Sequence, residues 1–291
     1  MIDKLLIPVD GSDPAKRAAK YGLELAVTYD AAVDLLHVMQ KGARSGNVSE
    51  DEHRAHGNAV LDEVLELELE AQDTPTIETH LASGKPGKVI ADHVADSDVD
   101  FISMGRHGRA GVGEYLFGTV TERVLRNVEV PVLTITNGPI QTKTGSTYEN
   151  VLLTTDGSEV AERAAPYGAD LAQRTGATVH LLSVVDVQAA AGPFDAGGVS
   201  REYVERLERK SRDALDRLVE QIDGEDIDLQ STVAKGTPST EIATYADDND
   251  IDLLILASEG QTNLVGQHLG SVTRRVLRTV RRPILVIPTP D

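Results

Sequence analysis

With no cysteine among 291 residues, disulfides, thiolate metal sites and cysteine nucleophiles are excluded. The length suits two domains of ordinary size. The net charge of −19 is shared by both halves: residues 1–146 hold 23 acids against 14 bases, the remainder 24 against 14. So evenly acidic a surface argues against a nucleic-acid partner, which needs basic patches.

Taken in order, Lys4 to Val9 is a short apolar run ending in Asp10-Gly11-Ser12, with Pro14 just beyond. This is a strand, an N-cap region and a helix start. Ala18, Tyr21, Gly22, Leu25 and Ala26 recur at helical spacing, and Val33 to Val38 reads as a second buried strand. A polar loop precedes an acidic helix marked by Val60, Leu61, Val64 and Leu65. Thr76 to Leu81 alternates as a third strand, Gly84-Lys85-Pro86-Gly87 turns the chain, and a short helix spans Val89 to Val94. Val99 to Met104 is a fourth strand, and Val130 to Thr136 a fifth, opening with Pro131. Five strands alternating with four helices predict an α/β fold whose parallel sheet is covered on both faces.

The fourth strand ends abruptly in glycine. From Gly105 the spacing is Gly-x2-Gly-x9-Gly-Thr, through Gly108 to Gly118-Thr119, with Arg106 and Arg109 in the loop. Glycine lets a backbone approach a bulky anion, and a helix beginning after Gly118 offers unpaired N–H groups to phosphate. The loop exceeds the two to six residues of an ordinary strand-to-helix connection. It reads as a polyphosphate cradle. In an open parallel sheet, ligands bind at the strands' carboxyl ends where the winding reverses. If the first and fourth strands are neighbours, Asp10 and Gly105 meet in one crevice. There Asp10 accepts hydrogen bonds from ribose hydroxyls, caps the first helix, or does both.

The pattern then repeats. Val151 to Ser158 copies Leu5 to Ser12 at an offset of 146, as Val179 to Val184 copies Val33 to Val38. From Gly236-Thr237-Pro238 the offset is 152, so the second half carries a net six extra residues between its second and third strands. The domains are expected at 1–137 and 147–291, joined by a Gly- and Thr-rich linker at 138–146.

Other chemistry finds little support. Gly84-Lys85-Pro86-Gly87-Lys88 is too short for a P-loop, and no Gly-x-Gly-x-x-Gly follows the first strand. No nucleophile elbow or His-Glu-x-x-His occurs. His53 and His56, near an acidic helix start, read as solvated side chains. A hydrolase would need a general base near the phosphates, and only Asp10 and His107 are placed to reach.

Ile7-Pro8-Val9-Asp10-Gly11-Ser12, Leu36-His37-Val38, Met104-Gly105-Arg106-His107-Gly108-Arg109 and Gly118-Thr119-Val120-Thr121 resemble the universal stress protein family in its tandem two-domain form. The likeness covers essentially the whole chain, twice. It implies two Rossmann-like open sheets, each of strand order 3-2-1-4-5, and an ATP site, with magnesium, whose signature is the glycine motif. By the same resemblance Asp10 lies at the ribose and the backbone of Val38 at the adenine, with Pro8 and Val9 among the cofactor-binding positions. Gly105, Gly108, Gly118 and Thr119 hold the phosphates, and Met104, Arg106, His107, Arg109 and Val120 are further cofactor-binding positions of the same motif. The second-half counterparts are Thr155, Asp156, Val184, Ala257, Gly260, Gly270, Ser271 and Val272. The family has no settled catalytic reaction, which implies a regulatory stress-response role, non-enzymatic or at most slowly hydrolytic. A slow ATPase and a scaffold without nucleotide are the alternatives.

Ala257, Ser258, Glu259 and Gln261 replace Gly105, Arg106, His107 and Arg109, so ATP is expected to prefer the first domain. The apolar strands at 130–136 and 284–288 are expected to pair the two domains within one chain, with a homo-oligomer also open. Arginine exceeds lysine by 19 to 9 and aspartate exceeds glutamate by 26 to 21, as suits a high-salt cytoplasm. The beginning lacks a signal-peptide pattern, and no apolar run approaches the roughly 20 residues of a membrane span. A cytoplasmic location and no membrane partner are therefore expected.

Overall fold

The computed structural model describes residues 2–40, 49–67, 69, 73–106, 118–136, 148–187, 201–222, 227–260 and 269–289. The chain divides into two compact units, Met1–Ser146 and Thr147–Asp291. The expected linker falls outside the described residues.

In the first unit β1 (Lys4–Val9) leads to α1 (Asp13–Tyr29), β2 (Ala32–Met39), α2 (Glu50–Leu65), β3 (Ile77–Ser83) and α3 (Pro86–Asp96). Then come β4 (Phe101–Gly105), α4 (Thr119–Leu125) and β5 (Val132–Ile135). All strand pairs in the unit are parallel, in the order 3-2-1-4-5. β1 is central because it is apolar from Leu5 onward: Leu5, Leu6 and Ile7 are wholly buried, as a strand covered on both faces must be.

Local chemistry sets the helix boundaries. Ser12 caps α1, its hydroxyl accepting from Ala15 N, and Pro14 occupies the first turn. The helix ends at Asp30, in the left-handed conformation with φ 54°. Ser49 and Glu52 form a reciprocal capping box at α2. α3 is longer than its sequence pattern suggested. Pro86 does not stop the helix but begins it, since a first-turn residue has no intrahelical use for an N–H.

The second unit repeats the order as β6 (Asn150–Thr155), α5 (Glu159–Glu162), α6 (Ala165–Thr175), β7 (Thr178–Val185), α7 (Arg201–Ile222) and β8 (Leu229–Lys235). α8 (Pro238–Asp248), β9 (Leu253–Ala257), α9 (Ser271–Thr279) and β10 (Ile284–Ile287) complete it. Its strands run β8-β7-β6-β9-β10, again 3-2-1-4-5 in their own sequence order. One departure is visible: the counterpart of α1 is interrupted at Arg163–Ala164.

On the α3 side of the first sheet, Asp34 is only 1% exposed, beside Lys4, His80 and His93. Burial alone would raise its carboxyl pKa. The close approach of His93, Lys4 and His80 prevails and holds it below the ordinary value.

Candidate functional site

At the carboxyl edge of the first sheet, β1 turns through Asp10-Gly11-Ser12 into α1. Gly11 takes φ 76°, a left-handed conformation that glycine adopts without strain. This lets Ser12 fold back: its N and its Oγ both donate to Asp10 Oδ1, at 3.0 and 2.5 Å. Ser12, not Asp10, is therefore the helix cap. Asp10 is half-buried, with its carboxylate oriented at the strand end.

β1 pairs with β2 along its length, from Lys4↔Ala32 to Val9↔His37, but with β4 only at Leu5↔Phe101 and Leu6↔Ile102. Beyond Leu6 the two strands diverge, and the start of α1 fills the opening. Ser103 Oγ donates to Ala18 O at 2.7 Å, and Gly105 lies directly against the first turn of α1. A Cβ on Gly105 would sit 2.9 Å from Ala15 N and 3.0 Å from Pro14 C. The glycine thus has a reason inside the protein, the close approach of a helix, besides any ligand. Asp10, the α1 start and Gly105 converge at the switch point.

Pro8, Val9 and Met104 are buried beneath this edge, and Val38 is half-buried at the end of β2, in register with Ala82. His37 Nδ1–H donates to Val9 O at 2.8 Å, which ties the ends of β1 and β2 together. Gly118 caps α4, its amide donating to Arg106 O at 3.1 Å. Gly118 and Val120 are half-buried and Thr119 is exposed. α4 has seven residues, fewer than two turns, so the dipole expected to seat phosphate is short. His107, Gly108 and Arg109 lie outside the described residues.

Arg106 corrects the charge argument. It is 1% exposed and donates from a terminal nitrogen to Thr134 O at 3.3 Å, so its guanidinium lies in the interior instead of the loop. Burial lowers its pKa to about 9. Sequence reasoning also missed Thr121 and Thr273. The Thr121 hydroxyl donates to Gly105 O at 3.0 Å and Thr273 to Ala257 O at 2.8 Å, pinning the motif's helix to the strand end. Both lie three residues after the motif's last glycine, which is the signal that identifies them.

The second unit rebuilds the edge with changes. Gly157 has φ 79°, Ser158 N donates to Asp156 Oδ1 at 3.0 Å, and buried Thr155 accepts from Gly157 N at 2.9 Å. Val184 is half-buried in register with Ala234, as Val38 is with Ala82. Asp156 is exposed, and Gly260 packs so closely on its carboxylate that a Cβ there would collide with it. The ends of β6 and β9 thus meet. Ala257 closes β9, and Ser258, 2% exposed, accepts from Thr289 N at 3.1 Å. Glu259 is half-buried, Gly270 buried, and Ser271 and Val272 exposed at the start of α9.

Residues 1–136 and 147–288 each match the model of the universal stress protein family. A universal stress protein of Methanocaldococcus jannaschii is 29% identical over 143 residues, covering 49% of this chain and 84% of that one. One from Mycolicibacterium smegmatis is 25% identical over 298 residues, covering 97% and 96%. In fold, the crystal structure of a universal stress protein from Archaeoglobus fulgidus is similar at TM-score 0.68 and 22% identity, covering 99% of this chain and 97% of that one. With a family match in each half, on the same switch-point edge, the chain belongs to the universal stress protein family.

Proposed function

We propose that the chain is an ATP-binding regulatory protein of the stress response, non-enzymatic or at most slowly hydrolytic, with the first unit as the preferred site. The observation that carries this reading is the convergence of the oriented Asp10 carboxylate with the start of the Gly105–Thr119 motif at the switch point. The residues fit the ligand. Asp10 supplies an acceptor for ribose hydroxyls, the backbone around Val38 offers the groups an adenine edge needs, and the glycine motif supplies backbone donors for phosphates that magnesium partly neutralises. No described side chain at this edge is placed as a general base other than Asp10, whose Oδ1 is already engaged by Ser12.

The preference for the first unit rests on charge and on space. With Arg106 in the interior, the charge contrast left in the motif's sequence is Arg109, outside the described residues, against Glu259. At roughly 0.5 kcal/mol per screened pair, these two charges amount to about 1 kcal/mol, or around fivefold in affinity. In the second unit Gly260 also packs against the Asp156 carboxylate, the acceptor a ribose would need.

Mass spectrometry of small molecules released from the purified chain should find ATP. In calorimetry, Asp10→Ala should weaken ATP binding about tenfold and Asp156→Ala should barely change it. Gly118→Asp, which sets a like charge at the phosphates, should abolish binding in the first unit of a folded protein. Undiminished affinity in Asp10→Ala and Gly118→Asp would remove this edge from the site. Steady phosphate release under saturating Mg-ATP would favour the slow ATPase. The acidic composition is, in the same proposal, an adaptation to a high-salt interior.

A further inference from the structure

A second cluster lies away from the nucleotide edge. Asp34 is the third residue of β2, four residues before Val38, so at about 3.3 Å per residue it lies some 13 Å toward the amino end of the sheet. His80 of β3 and His93 of α3 converge on it. His93 Nε2 is 2.9 Å from Asp34 Oδ2, and His80 Nε2 is 3.3 Å from Oδ1. The imidazole centroids are 4.9 Å apart. Lys4 Nζ stands 3.0 Å from Oδ2.

Asp34 Oδ1 and His80 Nε2 are buried, and among the described residues neither has a partner in hydrogen-bonding geometry, although they face each other. Buried polar atoms are seldom left so. The second unit shows that packing does not demand this set. At the matching positions Asn150, His180, Thr232 and Tyr245 replace Lys4, Asp34, His80 and His93. There the slot closes with hydrogen-bonding contacts among uncharged groups: His180 Nδ1 to Tyr245 Oη at 3.1 Å, and His180 Nε2 to Asn150 Oδ1 at 3.3 Å.

We propose that Asp34, His80 and His93 bind a divalent transition-metal cation of the zinc type. Two imidazole nitrogens and a carboxylate oxygen are the donor set such ions prefer, with a fourth position left for water. The three donor atoms lie within 4.8 Å of one another. Tetrahedral zinc, with bonds of about 2.0–2.1 Å, needs donors about 3.3 Å apart, so the widest pair closes by at most about 1.5 Å. The side chains of His80 and His93 are 28% and 19% exposed, so an ion can enter from solvent, while Asp34 at 2% forms the floor. Lys4 is the resident competitor and swings outward along its flexible stem when the ion enters.

The test titrates zinc into the metal-stripped full chain and records the visible spectrum with cobalt(II). One equivalent should bind, with cobalt bands typical of nitrogen coordination. His80→Thr and His93→Tyr, which install the second unit's own residues, should each weaken binding about 100-fold and abolish the bands. His53→Ala with His56→Ala should change neither. Lys4→Gln retains all three ligands and should tighten zinc severalfold. Zinc affinity that survives in the His80→Thr, His93→Tyr double variant, or is unmoved by Lys4→Gln, would place the ion elsewhere, and absence of the cobalt bands would overturn the site. Mg-ATP affinity should be the same in all these variants, so the outcome is read independently of the nucleotide proposal.

Discussion

His180 lies between Tyr245 and Asn150 in the interior of the second unit, and burial holds its pKa below the ordinary 6.5. Above pH 6.5 folded and unfolded chains both carry it neutral, and its contribution to stability is complete. As pH falls, the unfolded chain takes up the proton first, so that stability is lost down through the folded-state pKa. Urea midpoints between pH 7.5 and 5.5 should fall, and His180→Gln should flatten that fall by up to about 1.4 kcal/mol per pH unit. An unchanged pH slope in the variant would remove His180 as a source. Single residues were also where the sequence was least legible. Arg106 stands next to a glycine in a polar loop and reads as a surface cation; only the register of β4 with β5 shows it turning inward toward Thr134. His80 and His93 are thirteen positions apart on different elements, whereas the two histidines close in sequence are His53 and His56. In the structure His53 bonds its own helix start at Ser49 and His56 is exposed.

At the level of elements the sequence was far more open. Apolar runs mark the inner strands, because a parallel sheet covered on both faces needs no alternation, while the edge strand β3 is marked by alternation. The 146-residue offset then let each half check the other. The interruption between α5 and α6 has a cause in the sequence too: Pro166 stands where α1 has Lys20, and with no N–H to give the carbonyl of Glu162 it begins a new helix instead of continuing the old one. The same region differs in two further places: Val160 stands where Pro14 does, and Ala257 where Gly105 lets α1 approach β4. Paired glycines in the same helices give a sharper test. A Cβ on Gly22 would lie 2.8 Å from both Ile7 Cδ1 and Ser103 Cβ, whereas on Gly168 its nearest neighbour would be Leu153 Cδ1 at 3.4 Å. Gly22→Ala should therefore destabilise the chain by about 1–3 kcal/mol through overpacking. Gly168→Ala should be neutral or stabilise by up to about 1 kcal/mol, through helix propensity. Equal shifts in denaturant midpoint would contradict this reading of the two helix seats.

Over the whole molecule, 47 acidic side chains face 28 basic ones, in nearly equal shares for the two halves. Self-repulsion of that size opposes compaction, and molar salt screens it within about 3 Å. Raising potassium chloride from about 0.1 to 2 M should add about 2 kcal/mol, a rise in Tm of about 4–8 °C for units of this size. A flat or falling Tm across that range would separate the acidic surface from salt adaptation. The central place of β1 has a different consequence, one of timing on the ribosome. β1 is synthesised before β4, and Leu5 meets Phe101 only after 96 further residues. At roughly 5–20 residues per second, one edge of this buried strand waits about 5–20 s for its partner. β6 faces the same delay, for Val151 must wait for Leu253. By then β4 of the first unit has already paired with β1. Birth order thus keeps β1 and β6 from exchanging partners during synthesis, a safeguard that refolding the full-length chain from denaturant does not have.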